Sequence, residues 1–427
     1  MTKSSNKNIN KYFFVIIWFL IIVWPLSESS AQDYPYDIDQ YAFINYKHNK
    51  LDFYGDSIFF ENLFLNLNNL VIYGFGQMNL IHIGGSHIQA DIFSGRIRQR
   101  LQTFYPGLNA GRGFVFPYRA AKTNTPVNYY VRYTGNWESC RNVEKMKNCN
   151  LGLSGISVTT FDSISTIQII LKDKNYPHYE FNRLKIFQEL DSLSFSVFLN
   201  NPNINYTVID DYSCGCKVFI LDDYIDTLSL RIVKTNEFQR AYTLYGISLE
   251  TDDPGIVYHS IGVNGASVPS YLRCNMFNQH LQALNPDLTI LSIGINDAYT
   301  RDFKPEIFER NYDSLLTKIR EVAPNAPIIL TVNNDSYLYR RYTNTNVIKV
   351  REVMVNLAKK HHCAVWDLHT IMGGLNSIVY WNLLGLAKKD KIHFTHQGYT
   401  LLGDLFFNAF LKAYDNFIED KNISIPK

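Results

Sequence analysis

Gln77-Met78-Asn79-Leu80-Ile81-His82-Ile83-Gly84-Gly85-Ser86-His87 is the stretch that decides the fold. Its first seven residues form a short apolar run that stops at a glycine pair, the pattern of a buried strand running into a tight turn. Beyond the turn, Ile92, Ile97, Leu101 and Phe104 recur at near-helical spacing, Asp91 stands where a first helical turn favours an acid, and Pro106 closes the pattern. Strand, turn and helix in that order place Ser86 in the turn. From Gly255 the same rhythm resumes, with strands expected at 256–261, 288–293, 328–332 and 364–366 and helices near 270–284, 306–322, 345–361 and 398–414. About five strands alternating with helices make a parallel sheet covered on both faces, with its active site at the carboxyl ends of the strands.

Between the two α/β stretches the texture changes. Short alternating runs at 129–133, 156–160, 166–171, 195–199, 217–221 and 227–233, separated by polar turns, read as strands without helices between them. Such a run of strands over roughly 120 residues makes an all-β sandwich or jelly roll. The expected organisation is therefore a leader at 1–31, an entry segment at 32–76, a first α/β part at 77–127, an inserted β module at 128–250 and a second α/β part at 251–427.

The leader reads as a signal peptide. Lys3, Lys7 and Lys11 precede an apolar run from 13 to 24, and Ser29-Ser30-Ala31 supplies the small residues at which such leaders are cut. Its 12 apolar residues fall short of the roughly 17–25 that span a bilayer, so no stable membrane anchor is expected after cleavage before Gln32. The whole chain of 427 residues carries 41 Lys plus Arg against 39 Asp plus Glu, and the mature chain balances to neutrality. That balance gives no electrostatic footprint for a nucleic acid. Export to the periplasm or outside the cell permits disulfides among Cys140, Cys149, Cys214, Cys216, Cys274 and Cys363. Cys140 and Cys149 bracket a short polar loop and are the first pair to join, whereas Cys214-Gly215-Cys216 is too tight to close on itself. The spacings match no usual zinc pattern, and neither a metal nor another cofactor is expected.

Chemistry gathers at four expected strand ends: Ser86 after the first, Gly262-Val263-Asn264-Gly265 after the second, Gly294-Ile295-Asn296-Asp297 after the third, and Asp390-Lys391-Ile392-His393 before the last helix. A serine at a turn into a helix has backbone N–H groups beside it to meet developing negative charge, and needs a base nearby. Ser86 also suits a simple helix cap, and Asn296 and Asp390 suit turns that bond their own backbone. The order of the four blocks, over 77–110 and 255–415, resembles the SGNH, or GDSL-like, hydrolase family. The resemblance implies a flavodoxin-like three-layer α/β fold and a serine esterase. It assigns Ser86 as nucleophile, His393 as general base, Asp390 as its orienting acid, and the amides of Ser86 and Gly265 with the Asn296 side chain as the oxyanion hole. Gly262 competes with Gly265 for the family's glycine position, and His396 completes a His-x-x-His with His393 that lacks a third metal ligand.

Gly85 departs from the family's usual aspartate before the nucleophile. Gly-Ser-His in place of Gly-Ser-Leu, with a β-rich carbohydrate-binding-like module after the first block, resembles the periplasmic peptidoglycan O-acetylesterase branch. The expected function is removal of O-acetyl groups from a glycan, peptidoglycan foremost, through an acetyl-serine. The same triad would serve an acetylated xylan or another polysaccharide, or acetyl transfer. A cell-envelope glycan-binding protein with a silent hydrolase domain is the reading outside enzymes. No Gly-x-Ser-x-Gly elbow occurs, so serine chemistry runs through Ser86.

Overall fold

The strand read from 77–83 is an inner strand of a six-stranded sheet, second from one edge. In the computed structural model, which describes residues 38–56, 58–172 and 177–421, the strands of this sheet are β1 (Leu51–Phe53), β2 (Gln77–Gly84), β3 (Gly255–Gly262), β4 (Leu288–Ser292), β5 (Ile328–Thr331) and β6 (Ala364–Trp366). They lie in the order β1-β6-β5-β4-β2-β3. The five from β2 to β6 run parallel, and β1 adds an antiparallel edge beside β6. Taken alone, the parallel strands have the flavodoxin-like order, and the switch point falls between β2 and β4. Ser86 follows the first of those strands and Asn296 the second. The leader expected at 1–31 lies outside the described residues, and among the described residues no helix is long and apolar enough to cross a membrane.

Helices cover both faces. On one side lie α1 (Ile58–Tyr73), α2 (Ser86–Gln89), α3 (Phe93–Thr103) and, at the C-terminal end of the chain, a 25-residue helix His396–Asp420. Phe64 of α1 meets Phe410 and Phe417 of that last helix at 5.7 Å, and Trp366 of β6 stacks on Phe93. Arg96 and Arg100 of α3 both reach Asp404 Oδ1 at 2.7 Å. The entry segment 32–76 is thus not a lead-in: its described part supplies β1 and α1 to the α/β domain. Phe60, Leu63, Phe64, Leu67 and Leu70 all lie inward, the spacing of one helical face.

A histidine sits inside the buried strand β2 because its polar atoms are all met. His82 Nδ1 lies 2.6 Å from Tyr258 Oη on β3, and its Nε2 lies 2.6 Å from Ser292 Oγ on β4, to which Thr331 of β5 donates at 2.8 Å. Burial pushes its pKa down to about 3, so the ring is neutral and serves as a cross-strand tie.

The inserted module is two antiparallel sheets around a common core. The smaller one pairs Tyr129–Thr134, Ile164–Leu171, Thr227–Val233 and Ser196–Leu199; Ile167, Ile169, Leu228, Leu230 and Ile232 alternate inward. The larger one includes Phe181–Gln188, Tyr242–Glu250 and, against the latter, Gly113–Val115. Its boundary therefore differs from that expected at 128, because residues 113–115 already pair into the module. A disulfide joins Cys140 and Cys149, and Cys214, Cys216, Cys274 and Cys363 are free.

Asp91 departs from its expected place in a first helical turn. The helix after Ser86 lasts one turn, the chain breaks at Asp91 with φ 47°, and α3 starts two residues on. The break swings the Asp91 carboxylate inward. Its Oδ2 accepts from Arg112 at 2.5 Å, Arg98 at 3.0 Å and Asn128 at 2.6 Å, and its Oδ1 accepts from Ser94 at 2.8 Å. Burial opposes the charge, but Arg98 and Arg112 outweigh it and hold the carboxyl well below the usual range. Removing the acid strands two buried guanidinium groups, which costs about 3–5 kcal/mol in comparable pairs. Asp91→Ala is accordingly expected to lose that much in denaturant unfolding, and a loss under about 1 kcal/mol would contradict the account.

Candidate active site

Ser86 opens α2 at the end of β2, with Gly85 at φ −96° before it. A Cβ at Gly85 would meet only van der Waals contacts, the nearest being Asn296 Nδ2 at 3.4 Å. The position of the glycine therefore has room for the first carbon of a side chain. Gly262 is different: a Cβ there would lie 2.3 Å from the Gln89 amide nitrogen and 2.7 Å from Gly85 O. Its smallness lets the end of β3 approach α2 closely, which is a packing role. Gly265 has φ 81°, a left-handed conformation suited to glycine, and its Cβ direction is nearly open.

Three side chains read from sequence come together in a line. Ser86 Oγ lies 2.9 Å from His393 Nε2, and His393 Nδ1 lies 2.9 Å from Asp390 Oδ2. The other Asp390 oxygen accepts the backbone N–H groups of Ile392 at 2.9 Å and His393 at 3.0 Å. Burial works against ionisation of Asp390, but the His393 backbone and ring and the Ile392 amide outweigh it and hold the carboxyl below its ordinary value. The anion thus fixes Nδ1–H on His393 and leaves Nε2 free to accept the Ser86 proton.

The expected oxyanion donors face the same cleft, a space of about 490 Å³ lined by Ser86, Asn264, Gly265, Asn296 and His393 among others. Asn296 Nδ2 donates to Ala266 O at 2.8 Å, which spends one of its two hydrogens and anchors the Gly265 loop. Among the described residues, neither the Ser86 nor the Gly265 amide N–H donates to another protein group. His396, the first residue of the last helix, also lines the cleft. Among the described residues, no cluster of three or more His, Cys, Asp and Glu has the arrangement of a metal site.

Several contributors escaped the sequence reading. Gln89, one turn after Ser86, accepts the Asn264 N–H at 2.6 Å and donates to Asn124 O at 2.8 Å, so it holds the strand-end loop beside the nucleophile. Its signal was only its position on the same short helix. His87 packs its ring 5.2 Å from that of His393 and bonds Tyr399 Oη through Nδ1 at 2.7 Å. Burial, reinforced by His393, pushes its pKa down to about 3, so it stands as a neutral wall behind the base. Val143, from the loop closed by the Cys140–Cys149 disulfide, is the nearest side chain to the Gly265 Cβ direction, at 3.9 Å. The module therefore borders the oxyanion side of the cleft.

A serine, a histidine–aspartate pair and free N–H donors at the ends of parallel strands make the arrangement of a serine hydrolase site. Residues 234–401 match the family described as GDSL-like Lipase/Acylhydrolase. Ser86 lies upstream of the matched span, as expected where a module interrupts the domain. Among solved structures, the chain is similar to a peptidoglycan O-acetylesterase at 21% identity, covering 86% of this chain and 99% of that one with a TM-score of 0.69. Shorter matches include a lipase/acylhydrolase from Enterococcus faecalis, at 24% identity over 39% of this chain and 77% of that one, and an acetylxylan esterase from Geobacillus stearothermophilus, at 19% over 37% and 73%. The TM-score is 0.30 for each. No curated protein matches the chain.

Asp297 ties the two oxyanion loops together, since its carboxylate accepts the Val268 N–H at 3.1 and 3.2 Å. Burial raises its pKa to about 7 despite that bond. Between the ordinary aspartate value near 4 and about 7, the folded state keeps a proton that the unfolded chain releases. Stability from this group therefore falls as pH rises through that window and is level above it. Asp297→Asn keeps an acceptor for Val268 and removes the charge. Its melting temperature is expected to gain on the parent more at pH about 8 than at pH about 4, and equal differences at both would contradict the burial argument.

Proposed function

We propose that this chain is an exported carbohydrate esterase that removes O-acetyl groups from peptidoglycan through an acetyl-serine intermediate. The observation that carries the reading is the Ser86–His393–Asp390 line at 2.9 Å and 2.9 Å, open to a cleft bordered by the inserted module. The likeness to a peptidoglycan O-acetylesterase over nearly the whole of that chain supports the acceptor, since it extends through module and α/β domain together. The sequence of residues 1–31 supports export.

In the first half-reaction Ser86 Oγ attacks the acetyl carbonyl while His393 Nε2 takes its proton. The tetrahedral oxyanion is met by the Ser86 and Gly265 amides and by the remaining Asn296 hydrogen; each such donor is worth about 2.7–4 kcal/mol in a comparable case. Asp390 stabilises the imidazolium. The intermediate collapses, the sugar hydroxyl leaves with the proton from His393, and acetyl remains on Ser86. Water then attacks with His393 again as base, acetate departs, and Ser86 regains its proton.

Acetate release from O-acetylated peptidoglycan and from acetylated xylan, each measured beside Ser86→Ala, tests the reading. Faster release from peptidoglycan, reduced at least about a thousandfold in the variant, is expected. Preference for xylan would move the protein to another polysaccharide, and release that survives the substitution would remove Ser86 as nucleophile.

A further inference from the structure

Positive charge gathers on a rim of three loops beside the cleft; of its cations, Lys388 lines the cleft itself. The loop after Asn296 carries Arg301, the hairpin of Tyr337–Leu338 and Tyr342–Thr343 carries Arg340 and Arg341 at its turn, and the loop before His393 carries Lys388, Lys389 and Lys391. Hydrogen bonds make these loops one continuous edge. Tyr337 N–H donates to Lys391 O at 3.0 Å, Asn334 Nδ2 donates to Ile392 O at 3.1 Å, and Tyr339 N–H donates to Tyr299 Oη at 2.9 Å. Lys388 reaches into the cleft itself, as a neighbour of Ser86 and His393 on its lining.

These cations are not spent on internal pairs. Among the described residues none of the six forms an ion pair, and all but the half-buried Lys391 are exposed. Of the acids on the same loops, Asp390 is committed to His393, Asp297 to Val268 and the buried Asp335 to the Ile378 N–H, which leaves Asp302 beside Arg301. Aromatic rings hold two of the cations instead. Arg301 lies 5.2 Å from the centre of Tyr342 and 5.7 Å from that of Tyr339, and Lys391 lies 4.1 Å from that of Tyr337. A ring face positions a cation without neutralising it, so the charge stays available to a ligand.

The hairpin turn adds an independent sign. Tyr339 and Arg340 have φ 52° and 63°, a left-handed conformation that glycine or asparagine adopts at lower cost. Bulky residues persist there when their surroundings over-determine them, and such positions cluster at functional sites. Here the Tyr299 hydroxyl and the Arg301 guanidinium hold the turn, which projects Arg340 and Arg341 into solvent. Because the chain as a whole is close to neutral, the rim is a local asymmetry and not a consequence of net charge.

We propose that this rim binds the carboxylates borne on the peptides of a glycopeptide polymer, and so selects an anionic acetylated glycan over a neutral one. Guanidinium groups pair with carboxylates through two parallel bonds, which suits Arg301, Arg340 and Arg341 to that task. The inference rests on the esterase reading above and deepens it by naming what distinguishes the substrate beyond its acetyl group.

Binding to the full-length Ser86→Ala protein tests it, with soluble O-acetylated peptidoglycan fragments and acetylated xylo-oligosaccharides as probes, by calorimetry at low and at high salt. The peptidoglycan fragments are expected to bind more tightly and to lose about tenfold or more in affinity at high salt. The same loss is expected when their carboxylates are amidated, and when Arg301→Glu, Arg340→Glu and Arg341→Glu are combined. Arg340→Gln, an exposed change at the turn, gives a smaller loss in the same direction and guards against misfolding of the combined variant, whose melting temperature is compared with that of the parent. Fragment affinity indifferent to salt, amidation and Arg340→Gln, or tighter binding of the xylo-oligosaccharides, would overturn the proposal. Since binding is read on protein lacking Ser86, failure of acetate release in the native chain would sink the esterase reading alone. Salt-indifferent binding beside Ser86-dependent release would sink the rim alone.

Discussion

One buried carboxylate holds the two parts of this molecule to each other and to the catalytic turn. Asp91 stands where the chain breaks after the single helical turn that begins at Ser86. Its partners are Arg98 on α3, Arg112 just before the strand 113–115 that enters the module, and Asn128 just before the module strand 129–134. Tyr179, which accepts from Arg98 at 3.2 Å and donates to Gln102 at 2.8 Å, extends the cluster to the segment before the module strand Phe181–Gln188. Inside a low-dielectric interior such a group is worth holding only when every partner is in place. The position of Ser86 is in this way coupled to the docking of a domain inserted after it.

The module matters to the chemistry through its contacts, whatever it binds on its own. Val143 lies near Gly265, Met276 N–H donates to Leu151 O at 3.1 Å, and Leu151 N–H donates to the Asn275 side chain at 3.0 Å. The loop closed by Cys140–Cys149 thus abuts the segment that carries the oxyanion glycine and the helix after it. Another edge of the cleft is built from the α/β domain itself, by the loop after β4 and the one before His393, against which the hairpin after β5 is bonded. A substrate strand crossing the nucleophile would therefore meet a module wall at one edge and a basic, tyrosine-lined border at another.

The parallel sheet and its chemistry were readable because each strand end carries short polar blocks against apolar runs, and because Ser86, Gly265, Asn296, Asp390 and His393 recur in an order that sterics alone do not demand. The structure brings Ser86, Gly265, Asn296 and His393 to one cleft, with Asp390 behind His393. What the sequence concealed depends on distant partners. Asp91 looks like a helix-start acid until Arg112 and Asn128 are seen to converge on it. His82 looks apolar by position, and only Tyr258 and Ser292 explain it. The helix 58–73 was hidden among asparagines of weak helix propensity and shows its inward face only against Phe410 and Phe417. The strand Tyr242–Glu250 is buried on both faces and broken by Gly246, so it lacks the alternation that marked its neighbours.

The account stands or falls on a covalent step at Ser86. Rapid quenching of the protein during turnover of an activated acetyl ester, followed by mass spectrometry of its peptides, reads that step directly. One acetyl group on the peptide that carries Ser86, accumulating in the native chain and absent from His393→Ala, is the predicted result. Turnover with no acetylated Ser86, or an acetyl group on a different residue whose loss abolishes turnover, would contradict it.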